Sequence, residues 1–250
     1  MPQKPAPPSA GHVIVVDVRE PDDAPIAPPG DPLPGRLKTA ELQVRLLDRN
    51  DRQAAANRER LRVLGIRALN LVSSPGSGKT TLLERTLDAL AAEVRCAVLV
   101  GDLETDNDAR RLRRPGVPVA QITTGGTCHL DASMVARGMD ALGLDGVRLL
   151  FVENVGNLVC PASFDLGENR RVTLLSCTEG EDKPLKYPPI FLSAHAVVLN
   201  KIDVAAVLGF DRAAALANIR RVAPQAEIFE LSARTGEGMD RWLAYLRALL

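Results

Sequence analysis

Two short stretches of this sequence carry residue types at spacings that suit one task, the gripping of a nucleotide. The first is Ser73-Ser74-Pro75-Gly76-Ser77-Gly78-Lys79-Thr80-Thr81. Gly76 and Gly78 let the backbone around Ser77 curl until its N–H groups face phosphate, Lys79 reaches the β/γ oxygens, and the Thr80 hydroxyl can ligate Mg²⁺. Thr81 is placed to meet the α-phosphate. The pattern G-x-x-x-x-G-K-[ST] expects glycine where this chain has Ser73, so a side chain stands where the loop begins. The second stretch is Asn200-Lys201-Ile202-Asp203. A fixed carboxylate at Asp203 can accept hydrogen bonds from guanine N1–H and the exocyclic amine, a donor pair that adenine lacks, while the apolar stem of Lys201 covers the base plane.

Three further features fit a guanine nucleotide with Mg²⁺. Asp102 follows the apolar run Val98-Leu99-Val100-Gly101, and Glu153 follows Leu149-Leu150-Phe151-Val152. Carboxylates at such strand ends bind Mg²⁺ directly or through water, although a helix cap or an ion pair would use the same residues. Ser232-Ala233-Arg234 can offer backbone N–H groups to the guanine oxygen, or serve as a plain strand-to-helix connection. Lys79, Asp102 and Glu153 are the candidate catalytic residues, acting by positioning and charge neutralisation rather than through a covalent intermediate. The sequence does not single out a residue that orients water.

A second chemistry is suggested by Cys128 and His129, adjacent in Gly125-Gly126-Thr127-Cys128-His129-Leu130-Asp131, and by Cys160, seven residues beyond Glu153. Thiolate and imidazole suit Zn²⁺ or Ni²⁺, with a fourth ligand from water, backbone or a second subunit. A helix expected after Asp131 would favour thiolate at Cys128 through its dipole. Spacing alone fits equally well with buried thiols and a hydrogen-bonded loop histidine. Cys96 and Cys177 fall at strand ends and read as core residues, and His12 and His195 lack nearby ligand partners.

The elements that must position these residues follow from periodicity. Apolar, β-type runs at 69–72, 97–100, 117–122, 147–152, 172–176, 196–199 and 227–231 read as strands, and helical patterns occupy 79–92, 131–142, 210–221 and 239–249. Their alternation predicts an α/β, doubly wound, mainly parallel sheet of P-loop type over residues 66–250. Residues 37–65 are charged, with Leu42, Val44, Leu46 and Leu47 at helical spacing, and predict one or two amphipathic flanking helices. Residues 1–36 are rich in proline and read as a flexible arm. Within that arm, Val13-Ile14-Val15-Val16-Asp17-Val18 is either a strand added to a sheet edge or a short apolar island.

Composition narrows the partners. Of 250 residues, 31 are basic and 31 acidic, so no overall field favours nucleic acid or an anionic membrane. No apolar run approaches the roughly 18–20 residues that span a bilayer, and Met1-Pro2-Gln3-Lys4-Pro5 lacks a signal-peptide core, which predicts a cytoplasmic protein. Four cysteines are too few and too scattered for a disulfide framework.

Over about residues 37–250 the chain resembles the HypB family, the hydrogenase-maturation nickel GTPases of the SIMIBI P-loop class. The likeness rests on Ser73 to Thr81, Gly101-Asp102, Cys128-His129-Leu130-Asp131, Glu153-Asn154-Val155-Gly156-Asn157-Leu158 with Cys160, and Asn200-Lys201-Ile202-Asp203, in that order. It implies a GTP/GDP cycle with Mg²⁺, coupled to nickel delivery into the large subunit of [NiFe]-hydrogenase together with other maturation chaperones. It also implies GTP-favoured homodimerisation and Ni²⁺ or Zn²⁺ at Cys128, His129 and Cys160. A urease-type or other SIMIBI metal-chaperone GTPase, or a nickel carrier whose nucleotide only controls dimerisation, is the alternative. The departure is N-terminal: members with a Cys-x-x-Cys-Gly-Cys site or a histidine-rich stretch differ from this chain, whose residues 1–36 contain no cysteine and only His12.

Overall fold

The computed structural model of the chain describes residues 13–17, 37–102 and 107–250. In chain order the elements are β1 (Val13–Asp17), α1 (Leu37–Leu64), β2 (Arg67–Ser73), α2 (Lys79–Leu90), β3 (Cys96–Asp102), α3 (Asn107–Arg111), β4 (Val119–Thr123) and α4 (Ala132–Leu142). There follow β5 (Leu149–Glu153), β6 (Arg170–Ser176), α5 (Lys183–Lys186), α6 (Pro188–Leu192), β7 (Ala196–Asn200), α7 (Ala205–Leu208), α8 (Arg212–Val222), β8 (Glu227–Glu230) and α9 (Met239–Ala248). Two 3-10 turns lie at Cys160–Ser163 and Ile202–Val204.

The eight strands form one sheet in the order β1-β4-β3-β5-β2-β6-β7-β8, and every neighbouring pair is parallel. Parallel strands need crossover helices, which cover both faces, so β5 and β7 are buried at every position. The chain winds outward on both sides of β2, and the C-terminal end of β2 is therefore the switch point where such sheets hold ligands.

Side-chain alternation sorts the core. Leu69 and Leu71 of β2 and Val198 of β7 meet Leu83, Leu87, Trp242 and Leu246 of α2 and α9 on one face. On the other face Ala68, Leu99 and Val152 join Leu61, Met139 and Leu142 of α1 and α4, while Val72, Val197 and Leu199 join Ile190 and Ile219 of α6 and α8. Between those last two clusters runs a buried polar seam. Asn154 donates to Asn70 Oδ1 at 3.2 Å, Asn70 donates to Glu168 Oε1 at 3.1 Å, and Arg171 pairs with Glu168 at 2.9 Å.

Several expectations shift. The stretch before the nucleotide domain, expected as one or two helices, is a single 28-residue helix. Its buried face is Asn50, Ala54, Asn57 and Leu61, whereas Val44 and Leu46 are 57% and 55% exposed. Asn57 explains the swap, because its amide donates to Ala132 O at 2.7 Å and to Leu166 O at 3.0 Å, tying α1 to the start of α4. The helix expected from residue 210 begins at Arg212, since Asp211 accepts the Ala214 N–H as its cap. Val117 lies outside β4, in a bridge with Arg114. Residues 13–17 take the strand reading and pair with β4 at the sheet edge, while the rest of the expected arm, 1–12 and 18–36, lies outside the described residues.

Candidate functional site

The loop from β2 to α2 is built around Ser73, the residue that departs from the expected glycine. Ser73 is fully buried; its hydroxyl accepts from Ser77 Oγ and from Lys79 Nζ at 2.8 Å, and donates to Ser74 O at 2.7 Å. The side chain thus holds the lysine from behind instead of obstructing the loop. Gly76 and Gly78 have φ of 73° and 101°, and α2 starts from Gly78 with no side-chain cap, which leaves its first N–H groups directed at the loop's hollow. A Cβ at Gly78 would stand 2.5 Å from Asn200 Nδ2, so the phosphate loop and the base motif interlock at this residue.

Lys79, Thr80, Thr81, Asp102 and Glu153 line one cavity of about 540 Å³ together with Gly76 and Lys201. Thr80 Oγ1 donates to Glu153 Oε1 at 2.7 Å. Glu153 is 3% exposed, and its Oε2 is buried without a hydrogen-bond partner. Burial pushes its carboxyl up to about 7, against the opposing pull of Lys79 and the Thr80 hydroxyl. Burial likewise lowers the Lys79 ammonium, with the carboxylates of Glu153, Asp108 and Glu179 resisting. An orphaned carboxylate oxygen beside a threonine hydroxyl and a second acid, Asp102, is a donor set that fits a hard divalent cation.

The residues expected to read a base gather at the ends of β7 and β8. Asn200 is buried and donates to Ser77 O at 2.9 Å, while its Oδ1 accepts the Ala233 N–H at 3.0 Å. That amide is therefore engaged within the protein, and a base oxygen meeting it would have to share it. Lys201 adopts φ 63°, a left-handed conformation found at no other non-glycine among the described residues, and its Nζ donates to Gly76 O at 2.7 Å. Asp203 accepts Arg234 through Oδ2 at 2.9 Å, and its Oδ1 is buried with no hydrogen-bond partner. An unpartnered acceptor fits a ligand that brings N–H donors. Ser232 is fully buried; its hydroxyl receives the Thr235 N–H at 3.1 Å and its own N–H donates to Glu237 O at 2.9 Å, so the Ser232 and Ala233 N–H groups expected to meet a guanine oxygen are both engaged within the protein.

Cys128, His129 and Cys160 converge although 32 residues separate the cysteines. Their ligand atoms all lie within 4.8 Å of one another, with the two sulfurs 2.9 Å apart and Cys128 Sγ 3.9 Å from His129 Nδ1. The His129 ring packs on Phe164 at 3.9 Å between centroids, and burial lowers its pKa, favouring the neutral, metal-binding imidazole. Two soft sulfurs and one neutral nitrogen are a donor set for Zn²⁺ or Ni²⁺. The helix-dipole expectation for Cys128 meets a competitor, since Asp131 places its own carboxylate on the Met134 N–H at the start of α4. Cys96 and Cys177 are buried, their thiols pushed up to about 12 and about 11 by burial, as core residues.

Two charged residues that sequence reasoning missed also line the nucleotide cavity, Asp108 and Arg111 of α3. They sit in Asn107-Asp108-Ala109-Arg110-Arg111, a charged run whose composition is that of any solvated helix; no spacing ties it to the phosphate loop.

The family profile described as CobW/HypB/UreG, nucleotide-binding domain, matches residues 67–230. The hydrogenase maturation factor HypB of Azotobacter chroococcum is 54% identical over 216 residues, covering 85% of this chain and 70% of its own length. That of Escherichia coli K12 is 54% identical over 206 residues, covering 82% and 71%. A crystal structure of HypB from Helicobacter pylori in complex with nickel superposes with a TM-score of 0.76 at 42% identity, covering 80% of this chain and 94% of that one. Similarity of this extent, in a chain that carries interlocked phosphate-loop and Asn200–Asp203 motifs, establishes that the chain belongs to the HypB family and is a P-loop GTPase.

Proposed function

We propose that this GTPase is a cytoplasmic metallochaperone for [NiFe]-hydrogenase maturation, in which the GTP cycle governs a Cys128–His129–Cys160 site that binds Ni²⁺ or Zn²⁺. The observation that carries the reading is the chain segment leaving β5, which touches both sites. Glu153 at its start bonds Thr80, and a Cβ at Gly156 would lie 3.0 Å from Pro75 of the phosphate loop. Asn157 donates to Cys128 O at 3.3 Å, and Cys160 follows within the same connection. Nickel in a homologous structure supports the choice of metal.

In this reading Thr80, Asp102 and Glu153 hold Mg²⁺, which when bound neutralises charge on the phosphate oxygens. Lys79, released from Ser73, reaches the β/γ oxygens, and the uncapped N–H groups of α2 receive the phosphates. Asp203 Oδ1 takes the guanine N–H donors, and Asn200 keeps the base loop fastened to the phosphate loop. Movement of Glu153 toward the nucleotide displaces Gly156 and Asn157 and with them the relation of Cys160 to Cys128. A homodimer formed in the GTP state would bring two Cys-His-Cys sets together and supply missing ligands, and the client is the hydrogenase large subunit, met with other maturation chaperones.

The test is a titration of Ni²⁺ and Zn²⁺ into protein loaded with GDP or with a non-hydrolysable GTP analogue, comparing wild type with Cys128→Ala and Cys160→Ala. Wild-type affinity should differ between nucleotide states, and each variant should lose about tenfold or more, as disrupted metal sites do. Unchanged affinity in the variants removes the site assignment, and equal affinity in the two nucleotide states removes the coupling.

A further inference from the structure

Arg111 stands at the C-terminal end of α3, the short helix after the strand that ends in Asp102, and lines the same cavity as Lys79, Thr80 and Glu153. Its Nη2 donates to Thr81 Oγ1 at 3.1 Å and to Glu84 Oε2 at 2.5 Å, and its Nη1 lies 3.5 Å from Asp108 Oδ1. Thr81 is the residue directly after the candidate Mg²⁺ threonine, so the guanidinium already rests against the phosphate-binding end of α2. Its side chain is 46% exposed, which leaves the long stem room to swing.

We propose that Arg111 is a further nucleotide-contacting residue, whose guanidinium exchanges Glu84 for the polyphosphate of bound GTP and stabilises charge that develops during hydrolysis. Three considerations carry this. Among the described residues the cations lining the cavity are Lys79, Lys201 and Arg111, and the Lys201 ammonium is already bonded to Gly76 O. GTP brings about four negative charges into a cavity that also holds Glu153, Asp102 and Asp108, and phosphoryl transfer spreads charge over three equatorial oxygens, which a fixed planar cation neutralises. The exchange is energetically open, because an arginine pair whose guanidinium is half exposed is weak, whereas a bidentate Arg–phosphate bond is charge-assisted on both sides.

The plainer role for Arg111 is a staple between α2 and α3 through Glu84, and one experiment separates the two. Single-turnover GTP hydrolysis with Mg²⁺ is measured on the full chain for wild type, Arg111→Ala and Glu84→Gln, with thermal melts followed by the single tryptophan, Trp242. The proposal expects Arg111→Ala to melt within a few degrees of wild type and to lose rate on the order of 10³-fold, while Glu84→Gln, which only removes the resting partner, keeps the wild-type rate. A rate for Arg111→Ala within about threefold of wild type overturns the proposal, as does an equal loss of rate in Glu84→Gln. The inference rests on the nucleotide site alone. Its failure leaves the Cys-His-Cys reading untouched, and failure of that reading leaves this one standing.

Discussion

Arg171→Met is the perturbation whose consequence is best determined by the structure. Arg171 and Glu168 are a buried pair, their side chains 7% and 5% exposed. The guanidinium also donates to Ala162 O at 3.2 Å, Ser193 Oγ at 3.1 Å and Phe164 O at 2.7 Å. Methionine fills most of the volume but leaves a buried carboxylate whose remaining partners are the Asn70 amide and the Leu166 N–H, together with two backbone carbonyls. Removing one member of such a pair costs about 3–5 kcal/mol, chiefly because the other charge is stranded. For a chain of this size each kcal/mol lowers the melting temperature by roughly 2–4 °C, so a drop of about 10 °C is expected. Urea unfolding at neutral pH supplies the free energy. The double variant Glu168→Gln/Arg171→Met should recover a good part of the loss, since it removes the stranded charge. A loss below about 1 kcal/mol in the single variant, or a double variant no better than the single one, would refute the stranded-charge argument. A second readout follows from position: Ala162 lies within the Cys160 turn, Phe164 directly follows it, and the Phe164 ring packs on His129. Arg171→Met should therefore also weaken Ni²⁺ binding at GDP-bound protein, measured by competition with a chromophoric chelator.

Other outcomes are equally definite. The Glu153 carboxyl is raised from 4.5 to about 7, so the stability it contributes is fully present below about pH 4.5 and lost as pH rises through about 7. At pH 8, in protein stripped of Mg²⁺ and nucleotide, Glu153→Gln should be more stable by up to about 3 kcal/mol, and its stability should vary less between pH 5 and 8; a variant no more stable at pH 8 contradicts the burial argument. Gly78→Ala places a Cβ 2.5 Å from Asn200 at a φ of 101°, and GDP affinity measured by fluorescence should fall by more than about tenfold while the fold persists. Thr86→Val removes the acceptor that holds Trp242 Nε1 at 2.9 Å, and denaturant unfolding should show a loss of about 1–3 kcal/mol with an altered tryptophan emission. Arg234→Ala breaks a pair whose arginine is 77% exposed, so stability should change by less than about 1 kcal/mol and preference for GTP over ATP should survive, whereas Asp203→Ala should abolish that preference.

What was legible in the sequence was whatever depends on local order. Ser73 to Thr81 and Asn200 to Asp203 announce themselves because a phosphate loop and a base loop are each made of consecutive residues, and the strands show because a parallel sheet buried on both faces leaves unbroken apolar runs. The face of α1 was misread for a physical reason: helical periodicity was sought in leucine and valine, but this helix docks through Asn50 and Asn57, whose amides satisfy backbone groups at Asp165, Leu166 and Ala132. Polar residues that bury by hydrogen bonding leave no hydrophobic signature. Arg111 and Asp108 were missed similarly, since a charged helix looks the same whether it faces water or lines a cavity. The approach of Cys128 to Cys160 could be guessed from a family resemblance but not from spacing, because it depends on β3, β4 and β5 lying side by side.

Ser73 ends the same strand, β2, whose Asn70 belongs to the buried polar seam. β2 and β5 are neighbours in the sheet, so Asn70 and Asn154 meet inside the protein. Asn154 Oδ1 accepts the Leu130 N–H at 3.1 Å as well as the Val155 N–H at 2.9 Å, which fastens the Cys128–His129 loop to the residue directly after Glu153. Glu168 and Arg171 extend the same seam to the Cys160 turn. A buried polar network tolerates few arrangements, because each lost bond strands a group away from water. A change at Glu153 is therefore unlike a change in an apolar core, where side chains would slide: Asn154 must keep or break whole hydrogen bonds, and each alternative fixes a different position for Leu130. Coupling between the two sites, if built on this seam, should be stepwise, and Asn154→Ala should reduce the nucleotide dependence of metal affinity more than it reduces either affinity alone.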